Sequence, residues 1–220
     1  MLNRRFEKII SIPKSLYFCL KSLPIKDAIR IPVLISWRTK LKSVKGIVAF
    51  TTPPQFAMVR IGFGGAGTAE HIPCSIENNG TLILGEHVNF GGGCQICTVN
   101  SQSILEVGMC TSFMGEDHVV AKKHISIGED CLISWAVQVI DTDLHDIFSE
   151  GVLINPDKEI FIGNHVWLCS NVSVLKGSII PNNNIIASGA LICGKIEKEF
   201  SVLTGSPLVL RQVDFYIKNL

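Results

Sequence analysis

One histidine lies among several acidic residues in the segment DTDLHDIFSEGVLINPDKEIFIG, residues 141–163. His145 has Asp141, Asp143 and Asp146 as its acidic neighbours. A neutral imidazole can remove a proton near neutral pH, and a carboxylate bonded to its second nitrogen would fix its tautomer and stabilise the imidazolium. Asp143 would point to the same side as His145 along an extended segment, with Asp141 as the alternative partner. These residue types predict a general base with an orienting carboxylate.

Apolar residues recur every six positions on both sides of that segment. From residue 162 to residue 197, each block of six opens with an aliphatic residue: Ile162, Leu168, Val174, Ile180, Ile186 and Ile192. Apolar positions of a helix would recur at about 3.6, whereas a period of six is typical of short strands wound into a parallel β-helix. The aliphatic residues are therefore expected to face the axis, and PNNN at 181–184 to form a corner with left-handed backbone angles.

The same period appears less regularly before the break, which sets the expected domain organisation. Leu84, Phe90 and Ile96 are in phase, and so are Ile127, Ile133 and Val139. We expect a β-helix domain over 46–205 with a loop at 141–160. Residues 1–45 are expected to form a cap and residues 206–220 a C-terminal tail.

The N-terminal segment lacks the six-residue period and mixes basic with apolar residues. It predicts short helices broken at Pro13 and Pro24. The segment is expected to cover the exposed edge of the β-helix. A peripheral contact with a membrane surface is the alternative.

Composition excludes several classes of protein. The formal charge is +1, so the whole chain lacks the basic footprint of a nucleic-acid-binding protein. No run of about 20 apolar residues predicts a membrane span, and no export signal is recognisable. The eight cysteines are therefore expected to be free thiols in a reducing cytoplasm, and CQIC at 94–97 is expected to be structural.

Three motifs make the chain resemble the hexapeptide-repeat acyltransferases. They are DTDLHDI at 141–147, IFIGNHVWLCSNVSVLKGSIIPNNNIIASGALI at 160–192 and LTGSPLVLRQV at 203–213. The likeness is greatest to the polysaccharide and capsule O-acetyltransferases and to the maltose and galactoside acetyltransferases. It implies an all-β, left-handed parallel β-helix with a short, partly helical N-terminal segment, assembled as a homotrimer.

The resemblance also implies a reaction. Acetyl-CoA would donate an acetyl group to a sugar hydroxyl of a cell-surface polysaccharide or its precursor, with His145 as the general base. Trp167 would line the groove for the pantetheine arm of the cofactor. Small residues on later coils would keep that groove open, and two cations would meet the cofactor phosphates. These further candidates are Ser170, Ser188, Gly189, Ala190, Lys195 and Arg211.

Other functions remain open from the residues alone. The acceptor could be a nucleotide-linked amino sugar, serine or a xenobiotic, and the chain could instead be a non-catalytic trimeric β-helix module. The fold also occurs in zinc-dependent carbonic anhydrases. In a protein of that kind, His118, His124 and His145 of this chain would bind the zinc ion. Histidines six positions apart lie on adjacent faces of one coil, so we expect no metal site.

Overall fold

The computed structural model describes residues 4–64, 71–205 and 209–213 of the 220, with the backbone alone at 4–5 and 209–213. Two helices precede the strands: α1 (Arg4–Ser22) and α2 (Ile25–Ala28). The strands that follow form three long sheets that succeed one another around a coil.

Each long sheet takes one strand from each successive coil. Sheet 1 holds β1 (Val33–Ile35), β4 (Val59–Ile61), β7 (Asn89–Phe90), β10 (Ser112–Phe113), β13 (Leu132–Ile133), β18 (Trp167–Leu168), β21 (Ile185–Ile186), β23 (Ser201–Thr204) and β24 (Val209–Val213). Sheet 2 holds β2 (Lys40–Val44), β5 (Ser75–Asn78), β8 (Gln95–Thr98), β11 (His118–Ala121), β14 (Gln138–Ile140), β19 (Ser173–Leu175) and β22 (Leu191–Ile192). Sheet 3 holds β3 (Ile47–Phe50), β6 (Thr81–Leu84), β9 (Ile104–Val107), β12 (His124–Ile127), β17 (Ile160–Ile162) and β20 (Ile179–Ile180).

Almost all neighbouring strands in these sheets are parallel; the final pair, β23 and β24, is antiparallel. The chain therefore forms a parallel β-helix, as its six-residue period predicts. Strands β1 and β2 already pair in these ladders, so the first coil begins before the domain boundary predicted at residue 45.

The inward ladders form one continuous apolar core. The six aliphatic residues that open the blocks of 162–197 are each at most 3% exposed. Burial of such a side chain stabilises the fold by roughly 1.5–3 kcal/mol before chain entropy is subtracted. Phe90 and Phe113 stack in adjacent coils with 4.4 Å between ring centroids. The predicted corner at 181–184 is confirmed, since Asn183 has φ of +58°.

Helix α1 covers the open edge of the first coil. Ser15 donates to Ile35 O and accepts from Ile35 N–H, and Ser11 accepts from Trp37 N–H. Lys14 donates to the carbonyl oxygens of Trp37 and Thr39. Side chains of a helix thus satisfy backbone groups that another strand would otherwise pair with.

The predicted break at Pro24 is confirmed, but the break at Pro13 is wrong. Helix α1 continues through Pro13, which lacks the N–H that would bond one turn back. The hydrogen bonds of Ser11 and Ser15 hold the helix on the coil on both sides of that position. None of the helices in the described residues is long and apolar enough to cross a bilayer.

Asp117 places a carboxylate inside the core. It accepts hydrogen bonds from the N–H groups of Gly115 and Val137, and the Cys94 thiol lies 3.6 Å from Oδ2. Burial raises the pKa of Asp117 to about 7, although those hydrogen bonds oppose the shift. The fold therefore favours the protonated carboxyl between the ordinary pKa of about 4 and pH 7.

Asp117→Asn should change how stability depends on pH. Stability that comes from protonated Asp117 is fully present below pH 4 and is lost as pH rises through 7. Between those values the variant should gain stability over the wild type by up to roughly 1 kcal/mol per pH unit. Urea unfolding of both proteins from pH 4 to pH 8 measures this difference, and parallel stability curves would contradict it.

Candidate active site

The excursion over 141–159 leaves the coil between β14 in sheet 2 and β17 in sheet 3. Its base is held by Asp141, whose carboxylate accepts from the N–H groups of Lys122 and Lys123 at 2.7 and 2.8 Å. Asp141 is completely buried, and this burial raises its pKa against those hydrogen bonds. Asp141 therefore anchors the excursion to the preceding coil, and the alternative in which it orients His145 is wrong.

The residue before the histidine has an unfavourable backbone conformation. Leu144 has φ of +61°, which costs a residue with a Cβ about 1–2 kcal/mol. The Thr142 hydroxyl accepts the N–H of Leu144 at 2.9 Å and stabilises this turn. Asp130 and His165 turn ordinary corners of the coil with φ of +52° and +53°, so the conformation of Leu144 marks a turn of the excursion.

Asp143 forms contacts other than those predicted. Its Oδ2 accepts from Lys176 Nζ and, at 2.8 Å, from Asn155 Nδ2. The hydrogen bond from Lys176 and then that from Asn155 hold the pKa of Asp143 below its usual value. No hydrogen bond joins this carboxylate to the His145 ring among the described residues. The prediction that Asp143 orients the imidazole is therefore not met, because the carboxylate is engaged elsewhere.

Asn155 is the centre of the contacts that hold the excursion. Its Nδ2 donates to Asp143 and to His145 O, both at 2.8 Å, and its Oδ1 accepts Ile147 N–H at 2.6 Å. Its own carbonyl accepts from Lys176 Nζ at 2.8 Å. One amide thus bonds the backbone at His145 and Ile147 and the side chain of Asp143.

His145 presents its ring to solvent at the top of this arrangement. The side chain is exposed, and its ring has no hydrogen-bond partner within 4–64 and 71–205. One ring nitrogen of the neutral imidazole can therefore accept a proton while the other donates a hydrogen bond. The backbone of His145 is fixed while its imidazole is available.

The other histidines of the zinc alternative lie in ladders with partners of their own. The Nε2 atoms of His118 and Gln95 are 3.2 Å apart. His124 is 3.4 Å from Glu106 and meets the ring of Phe161 edge-on. Within the described residues, no three His, Cys, Asp or Glu side chains are grouped as a metal site would require.

Trp167 lies on the outer surface of sheet 1. It pairs with Leu132 in one neighbouring coil and with Ile185 in the other, and its side chain is half-buried. Its Nε1 donates to Ser134 Oγ at 2.9 Å. This bond fixes the indole across two coils and leaves part of the ring accessible.

The corner between sheets 1 and 2 brings together several predicted cofactor residues. Ser188 Oγ and Gly189 N–H both donate to Ser170 O, at 2.7 and 3.0 Å. A Cβ at Gly189 would meet no atom within 4 Å, so the space beside this corner is open. The prediction that Ala190 lines the groove is wrong, because its side chain is 1% exposed and packs in the core.

The two predicted cations differ in what the structure describes. Lys195 is exposed, and its Nζ lies 3.0 Å from Glu197 Oε2. Arg211 lies in β24, but its side chain is outside the described residues. The Lys195 contact places no cation on the corner of Ser188 and Gly189, since the Lys195 backbone bridges to Ile179 in sheet 3.

Histidine and tryptophan occupy different parts of the coil. The excursion with His145 occurs where sheet 2 passes to sheet 3. Trp167 lies in sheet 1, and the corner with Ser188 lies between sheets 1 and 2. One copy of the chain therefore presents the two candidate half-sites at different corners.

Known proteins resemble this chain in sequence. No protein-family model matches it. It is 39% identical over 103 residues to a polysialic acid O-acetyltransferase of Neisseria meningitidis, an alignment covering 46% of this chain and 47% of that protein. It is 28% identical over 146 residues to the "Putative lipopolysaccharide biosynthesis O-acetyl transferase" of Escherichia coli (strain K12), covering 61% and 73%. The chain thus spans about half the length of the first of these curated relatives.

Two crystal structures show the same architecture. The polysialic acid O-acetyltransferase OatWY matches with a TM-score of 0.53 at 25% identity, covering 86% of this chain and 88% of that chain. The polySia-specific acetyltransferase NeuO matches with a TM-score of 0.54 at 21% identity, covering 85% of each chain. The chain has the left-handed β-helix fold of the hexapeptide-repeat acyltransferases. The resemblance inferred from the repeat is confirmed.

The sequence alone does not identify the residues that hold the excursion over 141–159. Asn155 precedes Pro156, and Asn-Pro is a common turn signal, so a turn was recognisable there. Lys176 opens no apolar block and lies in the coil after the excursion. The hydrogen bonds that join these two residues to Asp143 depend on coil stacking, which sequence spacing does not specify.

Asn155→Ala should loosen the excursion without unfolding the coil. Removing its three side-chain hydrogen bonds should raise amide exchange over 143–154 at least about tenfold, because each bond stabilises the closed loop. Hydrogen exchange by mass spectrometry measures this, with Asn89→Ala as the control on an outward strand position. Unchanged protection of 143–154 would show that the amide does not hold the loop.

Proposed function

We propose that the chain is an acetyl-CoA-dependent O-acetyltransferase acting on a sugar hydroxyl of a cell-surface polysaccharide or its precursor. The observation that carries this proposal is the exposed imidazole of His145 on an anchored excursion of an otherwise regular coil. Its relatives support the reaction class, since both aligned proteins are named O-acetyltransferases. Polysialic acid and lipopolysaccharide precursors are therefore the first acceptors to test.

In the proposed reaction His145 acts as the general base. The imidazole takes the proton of the acceptor hydroxyl as its oxygen attacks the thioester carbonyl carbon. The tetrahedral intermediate carries an oxyanion, which N–H donors stabilise. When it collapses, the carbon–sulfur bond breaks, and the coenzyme thiolate takes the proton from the imidazolium. The products are the O-acetyl ester and free coenzyme A.

Asp143 acts indirectly in this proposal. Through Asn155 it helps to hold the His145 backbone, and it neutralises Lys176 beneath the loop. It is therefore a positioning residue and not the direct partner of the ring. The second ring nitrogen would then bond to water or to a group of the substrate.

Acetyl-CoA is proposed to lie along the corner beside Trp167. The open space at Gly189 and the exposed hydroxyl of Ser188 suit an extended pantetheine arm. Lys195 and Arg211 stay candidates from the sequence for contact with the phosphate groups. An N-acyltransferase of Bacillus cereus with this fold, at a TM-score of 0.51 and 11% identity, was solved in complex with coenzyme A.

A homotrimer is proposed to complete the site. Because the two half-sites of one copy lie at different corners, a second copy is needed to bring a cofactor corner to His145. The excursion also carries a short antiparallel hairpin, β15 (Phe148–Ser149) and β16 (Val152–Leu153), and an isolated hairpin is only marginally stable. The large apolar side chains of the excursion are 37–64% exposed: Leu144, Ile147, Phe148, Val152, Leu153 and Ile154. A neighbouring copy would cover them.

The proposed location is the cytoplasm. All eight cysteines are free thiols, which suits a reducing compartment. Most of them are buried or half-buried within the coil. Their packing explains the CQIC spacing without a redox role.

His145→Ala should lower kcat by about two to four orders of magnitude, because the hydroxyl would lose its base. Release of coenzyme A from acetyl-CoA, followed with each acceptor, measures the rate. His165→Ala is the matched control, since His165 is exposed and pairs with Asp130 at another corner. Wild-type kcat in His145→Ala would contradict His145 as the base. A wild-type protein that releases no coenzyme A with any acceptor would favour a non-catalytic β-helix module.

Complementation between two inactive variants should show that the site is shared between copies. His145→Ala removes the base, and Ser188→Trp fills the open corner. Randomly mixed trimers should regain roughly a quarter of the wild-type activity, because that fraction of seams joins two intact halves. Mixed oligomers that form by native mass spectrometry yet stay inactive would contradict a shared site.

A further inference from the structure

The helix that covers the first coil has a second apolar face that covers nothing. Phe6, Ile9, Tyr17 and Leu20 are 46–60% exposed. With Pro13 between them, they follow one another at intervals of three or four residues and lie along one side of α1. The opposite side carries Ser11, Ser15 and Phe18, which are buried against the coil. The apolar stripe is therefore not needed for capping.

Neighbouring elements extend this outer surface. Helix α2 packs against α1, and its first residue Ile25 and its C-cap residue Ile29 are 72% and 64% exposed. A cleft of about 310 Å³ beside α1 is lined by side chains that include Ile9, Leu34 and Phe56. Phe56 is itself 62% exposed. We call these outer apolar residues of α1 and α2, with Phe56, the end face.

Basic side chains surround the end face. Lys8 and Arg60 line the cleft, and Lys21 and Lys26 are exposed on the two helices. None of these four pairs with a carboxylate in the part of the chain that the structure describes. Unpaired cations beside exposed aliphatic and aromatic groups are the features of a helix that lies on an anionic bilayer.

Charge is distributed unevenly along the chain. Residues 1–30 contain seven Lys and Arg and two Asp and Glu, for a formal charge of +5, while the whole chain carries +1. Residues 31–220 therefore carry −4. An anionic surface would attract the end that bears α1 and repel the remainder, which orients the coil away from it.

We propose that the end face docks on the surface of an anionic lipid bilayer, with α1 lying in the interface. A second copy of the chain fits the same surface less well, because two end faces in contact would bring their like-charged lysine and arginine side chains together. The inner side of α1 stays bonded to the coil, so the helix contributes only its outer stripe. The coil then stands away from the bilayer and holds the enzyme close to any acceptor that is attached there.

Flotation of the full chain with vesicles tests this proposal. The protein should bind vesicles of phosphatidylcholine that contain phosphatidylglycerol, should not bind pure phosphatidylcholine, and should be released by salt. Ile9→Gln with Leu20→Gln should weaken binding at least about tenfold, because two buried aliphatic contacts are lost. Lys8→Gln with Lys21→Gln should weaken it roughly tenfold at low salt only.

Matched variants on distant coils provide the controls. Ile179→Gln and Lys198→Gln change an exposed aliphatic residue and an exposed lysine far from α1 and should leave vesicle binding unchanged. Circular dichroism and the melting temperature establish that each variant is folded. Equal binding to both kinds of vesicle, or full binding by the Ile9 and Leu20 variant, would overturn the proposal. A smaller oligomer for that variant in analytical ultracentrifugation would assign the end face to a second copy instead.

Discussion

Backbone pairing between successive coils is the constraint on which this structure depends. Each interior strand of the three long sheets bonds to the coil before it and the coil after it, so a coil can change its length only at a corner. The inward aliphatic residues also fix the register between coils, because a shift of register would expose their side chains. The faces of a regular coil are therefore rigid. Segments that depart from the six-residue repeat lie at a corner or at an end of the coil.

The excursion over 141–159 is such a corner, and its contacts explain why it can present a histidine. Asp141 is buried at its base, and the amide of Asn155 joins the two arms above it. Lys176, from the following coil, neutralises Asp143 below the loop. The coil thus supplies the fixed points, and a few polar side chains convert them into a defined position for His145. Among the described residues the imidazole has no hydrogen-bond partner, so its ring faces solvent.

Much of the fold follows from the sequence because the period of six corresponds to one short strand and turn of the coil. Ile162, Leu168 and Val174 are buried as their spacing requires, and Asn183 turns its corner as an asparagine can. The site follows less directly. Spacing suggested that Asp143 faces His145, but Lys176 and Asn155 reach that carboxylate from a stacked coil and from the far arm of the loop. Its small side chain makes Ala190 a candidate groove residue from the sequence, but small residues also occupy inward positions of the coil.

A structure of the protein with coenzyme A bound, at a resolution that shows the thiol, is the most direct test of the proposed reaction. We expect the thiol of the coenzyme to lie beside the His145 ring of a neighbouring copy. Its pantetheine arm should run past Trp167 and Gly189, with space for a hydroxyl between sulfur and imidazole. A coenzyme bound far from every copy of residue 145, with that ring directed into bulk water, would contradict the proposed reaction.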